Sequence, residues 1–384
     1  MTHKQIALVD GDGSGPEMMA AACRVASVAA KKDGIEIEFI KTPMGWNAYS
    51  EYGDTLPKKS FDKAIELGII FFGGVGDFEH DSTIGVEKPE MKPEARVLLP
   101  LRKQMGLLLN FRPMIYYKAL ASLANVKPET IPEEGIRQNW IRYLLEDSYF
   151  GNADLMKEIP ENIQKKIGVK IKKDVLGDEA LVSDIAYYKR GSLLKYFRAA
   201  FAYARQQKLP LISIDKANVL ARYDYWRKIS IEVSKEFPDV EFSSQLVDSA
   251  AALLFTPAKL NGVIACGNEH GDILSDGAAS ALGSMGMMCS SAVNPDTGAA
   301  MFESGAGTAP TIAGQDKANP LGRILTGAMM LRHIGVEKGA VAIEKAVNRL
   351  LTEGYRTGDL YTKADDSTKL LGTKATGEKV LSYI

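Results

Sequence analysis

Cysteine is scarce in this chain. Cys23, Cys266 and Cys289 are its three, scattered, set among apolar neighbours and without a C-x-x-C pair. That excludes a disulfide framework and a cysteine-based zinc site, and it fits buried thiols in a reducing compartment. A surplus of either charge is lacking as well, since the 384 residues sum to a formal −1. Such a balance gives no electrostatic reason to expect nucleic acid or an anionic membrane as a partner. No apolar run approaches the roughly 20 residues that span a bilayer. Met1-Thr2-His3-Lys4 leads straight into an apolar strand with no signal-peptide pattern, so a cytoplasmic protein is expected. Internal repeats and low-complexity tracts are absent too. What remains is an ordinary globular composition, long enough for a sizeable core and two structural units.

The first half alternates strand and helix signals. Ile6–Val9 reads as a buried strand, followed by Gly11-Asp12-Gly13-Ser14-Gly15-Pro16-Glu17. Pro16 suits a first helical position and Glu17 complements the helix dipole, so a helix is expected over Met18–Lys32. Strands are expected at Ile35–Lys41 and Leu67–Phe72, the second ending in Gly73-Gly74-Val75-Gly76-Asp77. This alternation predicts an α/β sheet, largely parallel. The glycine loop at 11–15 is not G-x-G-x-x-G, and a tight turn at a strand end explains it as well as a nucleotide cradle does. Further on, strands are expected at Trp140–Leu145, Val169–Lys172, Leu211–Ile214, Val240–Val247 and Gly262–Cys266. Helices are expected at Ser192–Gln207, Asp224–Phe237, Leu321–Ile334 and Lys338–Leu351, with a short one after Gly377. Residues 117–135 read as loop. The methionines at 285, 287, 288, 329 and 330 read as core.

Two clusters carry chemistry. In Asn268–Asp276, Asp272 and Asp276 stand four apart, so a helix places both carboxylates on one face. Like charges at that spacing repel, and a cation or an arginine nearby relieves them. Two solvated acids on an exposed helix are the bland alternative. The second cluster is Leu98–Pro113, where Arg102 and Arg112 lie among leucines. Guanidinium groups held in apolar surroundings need anions, and a dicarboxylate ligand supplies them.

Together these segments resemble the isocitrate/isopropylmalate dehydrogenase family, the metal-dependent decarboxylating 2-hydroxyacid dehydrogenases. The resemblance rests on Gly11–Glu17, Leu101-Arg102-Lys103, Phe111-Arg112-Pro113, and Arg142 with Tyr149 seven residues later in Tyr-Phe-Gly. It continues through Asp215-Lys216-Ala217-Asn218, Val247–Ala251, Gly271–Asp276 and Gly307-Thr308-Ala309-Pro310 to Pro320, in family order. It implies an open two-domain α/β fold that is not a Rossmann fold. The expected division is a cofactor-side domain of residues 1–107 plus 283–384 and a central domain, 108–282, with the dimer contacts and the metal site.

The resemblance also implies roles. Arg102, Arg112 and Arg142 would hold substrate carboxylates, and Leu98 and Leu99 would receive an apolar γ-group, as in the isopropylmalate branch. Asp248, Asp272 and Asp276 form a hard, oxygen-only set suited to Mg²⁺ or Mn²⁺. Lys216 would accept the hydroxyl proton and Tyr149 would protonate the enolate. Lys216 and Asp248 would come from a neighbouring copy, implying at least a homodimer. Asn218, Gly307, Thr308, Ala309, Thr311, Ile312 and Asn319 would bind the nicotinamide cofactor. Ala306 stands where the family usually has a histidine against the adenine. Thr311-Ile312 and Gly358 match neither cofactor class cleanly, and the reading leans to NAD over NADP. Glu269-His270 replace an apolar pair. The expected substrate is a small 3-substituted malate, 3-isopropylmalate-like, with isocitrate, tartrate or another malate as alternatives. A noncatalytic regulatory subunit of the family and a small-molecule binding protein are the rival classes. No nucleic acid and no membrane is expected as a partner.

Overall fold

A computed structural model describes residues 2–155, 184–283, 285–305 and 307–384. The strand expected at Val169–Lys172 and the position of Ala306 lie outside these residues. The strands are β1 (Thr2–Val9), β2 (Ile35–Lys41), β3 (Ile69–Phe72), β4 (Leu109–Ile115), β5 (Arg137–Tyr143), β6 (Leu211–Asp215), β7 (Phe242–Leu246), β8 (Gly262–Cys266), β9 (Ser291–Val293) and β10 (Ala300–Glu303). All ten form one sheet in the order β2-β1-β3-β10-β9-β4-β5-β8-β6-β7. The two wings are parallel, and the antiparallel pairings β10–β9, β9–β4 and β4–β5 join them.

The inner strands of the wings are covered on both faces, which is why Ile6–Val9, Ile69–Phe72 and Gly262–Cys266 read as continuous apolar runs, while the edge strands β2 and β7 stay partly exposed. In β1, Ile6 and Leu8 pack toward the helices Gly15–Ala30, Leu321–His333, Glu337–Thr352 and Thr373–Leu381, while Ala7 and Val9 face the opposite core. In β8, Val263 and Ala265 meet the aromatic-rich helices Arg190–Gln207 and Ala221–Ser234; Ile264 and Cys266 meet the helices Val247–Leu253 and Asn268–Ala281. The two-residue side-chain period thus serves two cores at once. Among the described residues no helix is long and apolar enough to cross a membrane.

Several boundaries differ from expectation. Leu67 closes the helix Lys58–Leu67, and Gly68 caps it at φ 71°, a left-handed conformation that glycine adopts without Cβ strain, so β3 starts only at Ile69. Val247 belongs to the helix Val247–Leu253 and not to β7. The helix expected from Asp224 starts three residues earlier and ends at Ser234. The last helix starts at Thr373, with Gly377 buried inside it against Ala21. Met287, Met288 and Met330 are core, but Met285 is 44% exposed.

Because the parallel strands of a wing end at the same edge, their following loops gather there. Beyond β1, β3 and β10 lie the loops carrying Asp12, Gly73–Asp77 and Gly307–Pro310. Beyond β5, β8, β6 and β7 lie Tyr149, Asp272, Lys216 and Asp248.

Candidate active site

A cleft of about 770 Å³ opens where the two wings meet, lined by Arg102, Arg112, Arg142, Tyr149, Asp272 and Glu303 among others. Sheet register builds its floor. β4 and β5 run antiparallel with Asn110 directly opposite Arg142, and Arg112 lies two residues along β4, on the same face. The helix Asn268–Ala281 crosses above them. Its positions 268, 272 and 276 recur every four residues, so Asn268, Asp272 and Asp276 share the face turned toward the arginines.

The arginines answer the repulsion between those acids. Asp272 Oδ1 accepts from Arg142 and lies 3.0 Å from Arg112, while Asp276 Oδ1 accepts from Arg112 at 2.9 Å. Arg112 is further aimed by Asn110 Oδ1 at 2.9 Å and by Ser275 Oγ at 2.9 Å. Arg142 Nε donates to Asn268 Oδ1 at 2.8 Å. Tyr149 donates its hydroxyl proton to Asp272 Oδ2 at 3.1 Å, and the Arg142 guanidinium lies 5.3 Å from its ring centroid. The bland alternative of two solvated acids therefore fails for Asp272, whereas Asp276 is paired with Arg112 but half exposed.

Burial and charge set the protonation of this group. Burial raises the Asp272 carboxyl, but Arg142 and Arg112 outweigh it and hold it below its ordinary value. Burial also raises Asp276, only partly countered by Arg112 and reinforced by Asp272. Burial, with Arg112 beside it, pulls Arg142 down to about 9. Burial and the charge of Asp272 push the Tyr149 phenol up, so it keeps its proton at neutral pH. Arg102 is lowered by burial and sits 3.8 Å from Glu303, itself raised by burial.

On the apolar side, Leu98 and Leu99 line the cleft with Phe78 and Val75. Leu98 ends a π-helical turn, Glu94–Leu98, of the kind often found at functional sites, and Leu99 follows it. Arg96, in that turn, makes two hydrogen bonds of 2.7 Å to Asp54. Gly307, Thr308 and Pro310, after β10 of the same wing as β3, also line the cleft. The glycine loop after β1 proves to be a tight turn that grips this segment. Ser14 donates to the Thr308 carbonyl from N at 2.8 Å and from Oγ at 2.7 Å, and a Cβ on Gly13 would lie 2.4 Å from that oxygen. Asp12, 1% exposed, accepts backbone N–H groups of Trp46, Asn47 and Gly76 and so ties three loops. Ala309 is left-handed at φ 41°, Thr311 and Ile312 form the following turn, and Asn319 bonds Gly286 and Asp359.

Lys216 and Asp248 stand apart from this group. They follow the adjacent strands β6 and β7 and pair with each other at 2.8 Å, with Asn218 exposed beside them. Among the described residues no three acidic, histidine or cysteine side chains converge as a metal site would require. Within one chain, Asp272 and Asp276 offer an oxygen-only pair that fits a hard cation but leaves its donor set short.

Asn110, Asn268, Ser275 and Glu303 were assigned no site role by the sequence reading; Asn110 and Glu303 line the cleft, and Asn268 and Ser275 hold its arginines. Periodicity could have found the first three. Asn110 is two residues from Arg112 on a strand, and Asn268 and Ser275 are a helical turn from Asp272. Nothing in the local sequence marks Glu303 beyond its place at a strand end.

Known proteins resemble this chain along nearly its whole length. The model of the isocitrate/isopropylmalate dehydrogenase family matches residues 5–380. The 3-isopropylmalate dehydrogenase of Cupriavidus pinatubonensis is 38% identical over 381 residues, covering 99% of this chain and 100% of the relative. That of Chromobacterium violaceum is 38% identical over 358 residues, covering 93% and 94%. The isocitrate dehydrogenase structure from Methylococcus capsulatus superposes with a TM-score of 0.80 at 28% identity, covering 99% of both chains. A β-decarboxylating dehydrogenase from Thermococcus kodakarensis gives 0.72 at 27% identity, covering 99% and 96%. This chain belongs to the isocitrate/isopropylmalate dehydrogenase family.

Proposed function

We propose that this enzyme, a decarboxylating dehydrogenase acting on the CH–OH group of a 2-hydroxy acid, takes a 3-alkylmalate such as 3-isopropylmalate. The observation that carries the substrate class is the wall of Leu98, Leu99 and Phe78 beside three arginines, with Arg96 engaged by Asp54. A dicarboxylate satisfies the arginines, and an apolar γ-group covers the leucines at roughly 25 cal/mol per Å² of apolar surface removed from water. A third carboxylate at that wall would meet apolar carbon and the Glu94 side chain one turn before Leu98. The names of the relatives from Cupriavidus and Chromobacterium support the same class.

In this reading Arg102, Arg112 and Arg142 take over the substrate carboxylates. Lys216 of a second copy accepts the hydroxyl proton, and Tyr149, which keeps its proton, delivers one to the enolate left by loss of CO₂. The family uses a divalent metal and NAD(P). We assign Asp272 and Asp276, with Asp248 of the second copy, to Mg²⁺ or Mn²⁺, and Gly307–Ala309, Thr311, Ile312, Asn319 and Asn218 to the cofactor, NAD in preference to NADP. Held there, the cation would supply Lewis acidity to the substrate's hydroxyl oxygen, and the nicotinamide would supply the hydride acceptor.

A homodimer is part of the proposal, because the Lys216–Asp248 pair needs a second chain to reach the cleft. Exposed apolar side chains nearby support it: Val219 beside Lys216, Phe255, and Ile273 on the helix of the two acids. A cofactor-side domain of residues 1–107 plus 283–384 and a central domain of 108–282 fit the junction of β9 with β4. The unpaired thiols support a cytoplasmic setting.

The test is a screen of 3-alkylmalates, isocitrate, tartrate and malate with Mg²⁺ or Mn²⁺ and each nicotinamide cofactor, following reduced cofactor. Turnover greatest with 3-isopropylmalate supports the proposal. Preference for isocitrate overturns the substrate, and silence throughout favours a noncatalytic member.

A further inference from the structure

Two consecutive residues just ahead of Tyr149 hold a backbone conformation that side chains rarely adopt. Glu146 has φ 67° and Asp147 φ 60°, both left-handed, and neither is glycine. Such strain persists only where the surroundings over-determine it, and it concentrates where geometry matters to function. Here the determinants are the side chains themselves. Glu146, 7% exposed, accepts the Lys189 N–H on one carboxylate oxygen and the Ser192 hydroxyl on the other, both at 2.8 Å. Asp147, fully buried, accepts the Tyr188 hydroxyl at 2.7 Å on Oδ2, and its Oδ1 lies 3.4 Å from Arg222 Nε. Its N–H donates to the Tyr187 carbonyl at 3.0 Å.

These bonds fasten the start of the Tyr149 helix to two other segments. Glu146 binds the N-terminus of the helix Arg190–Gln207. Asp147 reaches Arg222, at the start of the helix that follows Lys216–Asn218. The Glu146 carbonyl also lies 3.4 Å from Asn268 Nδ2, and the oxygen of the same side chain orients Arg142. The left-handed pair turns the chain so that Ser148 begins the helix and the Tyr149 hydroxyl reaches Asp272. Two glycines would permit the same turn without anchoring it.

We propose that Glu146 and Asp147 are positioning residues that aim the Tyr149 hydroxyl at the reacting carbon. This rests on the reading of Tyr149 as the enolate's proton donor. In that step a C–H bond forms at the carbon that lost CO₂ as the phenol O–H breaks; the phenolate regains its proton from water, and nothing is oxidised. A well-aimed phenol delivers the proton to one face only, whereas a loosely held one lets solvent compete at both.

The test uses the full chain with Mg²⁺, NAD and 3-isopropylmalate in D₂O, measuring kcat, KM and the stereochemistry of deuterium at C3 of the product, trapped by reduction. Asp147→Gly keeps the backbone angle and removes the anchor; Asp147→Asn keeps the acceptor and tolerates the angle. Asp147→Gly should lower kcat about 10- to 100-fold, since a misplacement near 1 Å costs on that order, and yield mixed deuterium stereochemistry with KM little changed. Asp147→Asn should restore most of both. Wild-type kcat and a single deuterated product from Asp147→Gly would overturn the proposal. Equal losses in the Gly and Asn variants, tracking a lowered melting temperature, would overturn it in favour of plain stability. Tyr149→Phe separates the two readings. If that variant keeps rate and stereochemistry, the proton-donor reading fails; if it loses them while Asp147→Gly does not, only the positioning proposal fails.

Discussion

Asp272 and Arg112 face each other at 3.0 Å across the cleft, and the same carboxylate oxygen also accepts from Arg142. A cation approaching Asp272 must therefore compete with two guanidinium groups, and a substrate carboxylate is the natural replacement partner for them. Metal and substrate should thus bind with positive coupling. Mn²⁺ affinity, measured by proton relaxation, should tighten at least about 10-fold with saturating 3-isopropylmalate, a coupling near 1.4 kcal/mol. Equal affinity with and without substrate would mean that the arginines do not restrain Asp272.

The separation of Lys216 and Asp248 from the other site residues leads to a complementation experiment. Lys216→Ala and Asp272→Asn should each abolish turnover in homodimers. Refolded as a mixture, they should form heterodimers in which one of two sites is native, recovering roughly a quarter of wild-type activity if assembly is random and sites act independently. No recovery in mixtures shown to contain heterodimers would place all the catalytic groups within one chain.

The Asp54–Arg96 pair should hold the π-helical turn that presents Leu98 and Leu99. Arg96 keeps the Asp54 carboxyl below its ordinary 3.8, chiefly through its hydrogen bonds. A depressed acid contributes stability above the unfolded value, and loses it as pH falls through the folded one. Asp54→Asn should therefore be less stable than wild type by a constant margin from neutral pH down to about 5, with the margin shrinking below 3.8. Urea titrations across that range measure it, and a margin that grows on acidification would contradict the ion pair's role.

Asp12 offers a stability prediction in a loop that looks like a cofactor motif. Its carboxylate serves three backbone donors, one buried and two partly buried, so Asp12→Ala strands the Trp46, Asn47 and Gly76 N–H groups. The cost should be about 3 kcal/mol, allowing for partial rehydration of the loops. Asp12→Asn keeps one acceptor oxygen and should lose less. Denaturant midpoints decide the matter; an unchanged midpoint in Asp12→Ala would show that these loops hold without it.

Much of this protein was legible in one dimension. Two-residue and four-residue spacings are local properties, so Ile6–Val9, Gly262–Cys266 and the shared face of Asp272 and Asp276 could be read directly. Boundaries such as Leu67 and Val247 were not, because a leucine or valine at a helix–strand junction suits both, and tertiary packing chooses. The glycine loop was ambiguous for a related reason: a tight turn and a ligand cradle need the same residue, and the contact of Ser14 and Gly13 with Thr308 is visible only in three dimensions.

The amino-acid order by itself determined the residue types, their spacing and hence the chemistry open to the chain: three arginines, paired acids, a tyrosine and a lysine. The tertiary structure decided which of them meet. Antiparallel register set Asn110 opposite Arg142, and the helix after β8 laid Asp272 onto both Arg112 and Arg142. It also placed Lys216 with Asp248, away from the other acids. Long-range pairing of strands far apart in the chain fixes those distances, and no local spacing encodes them.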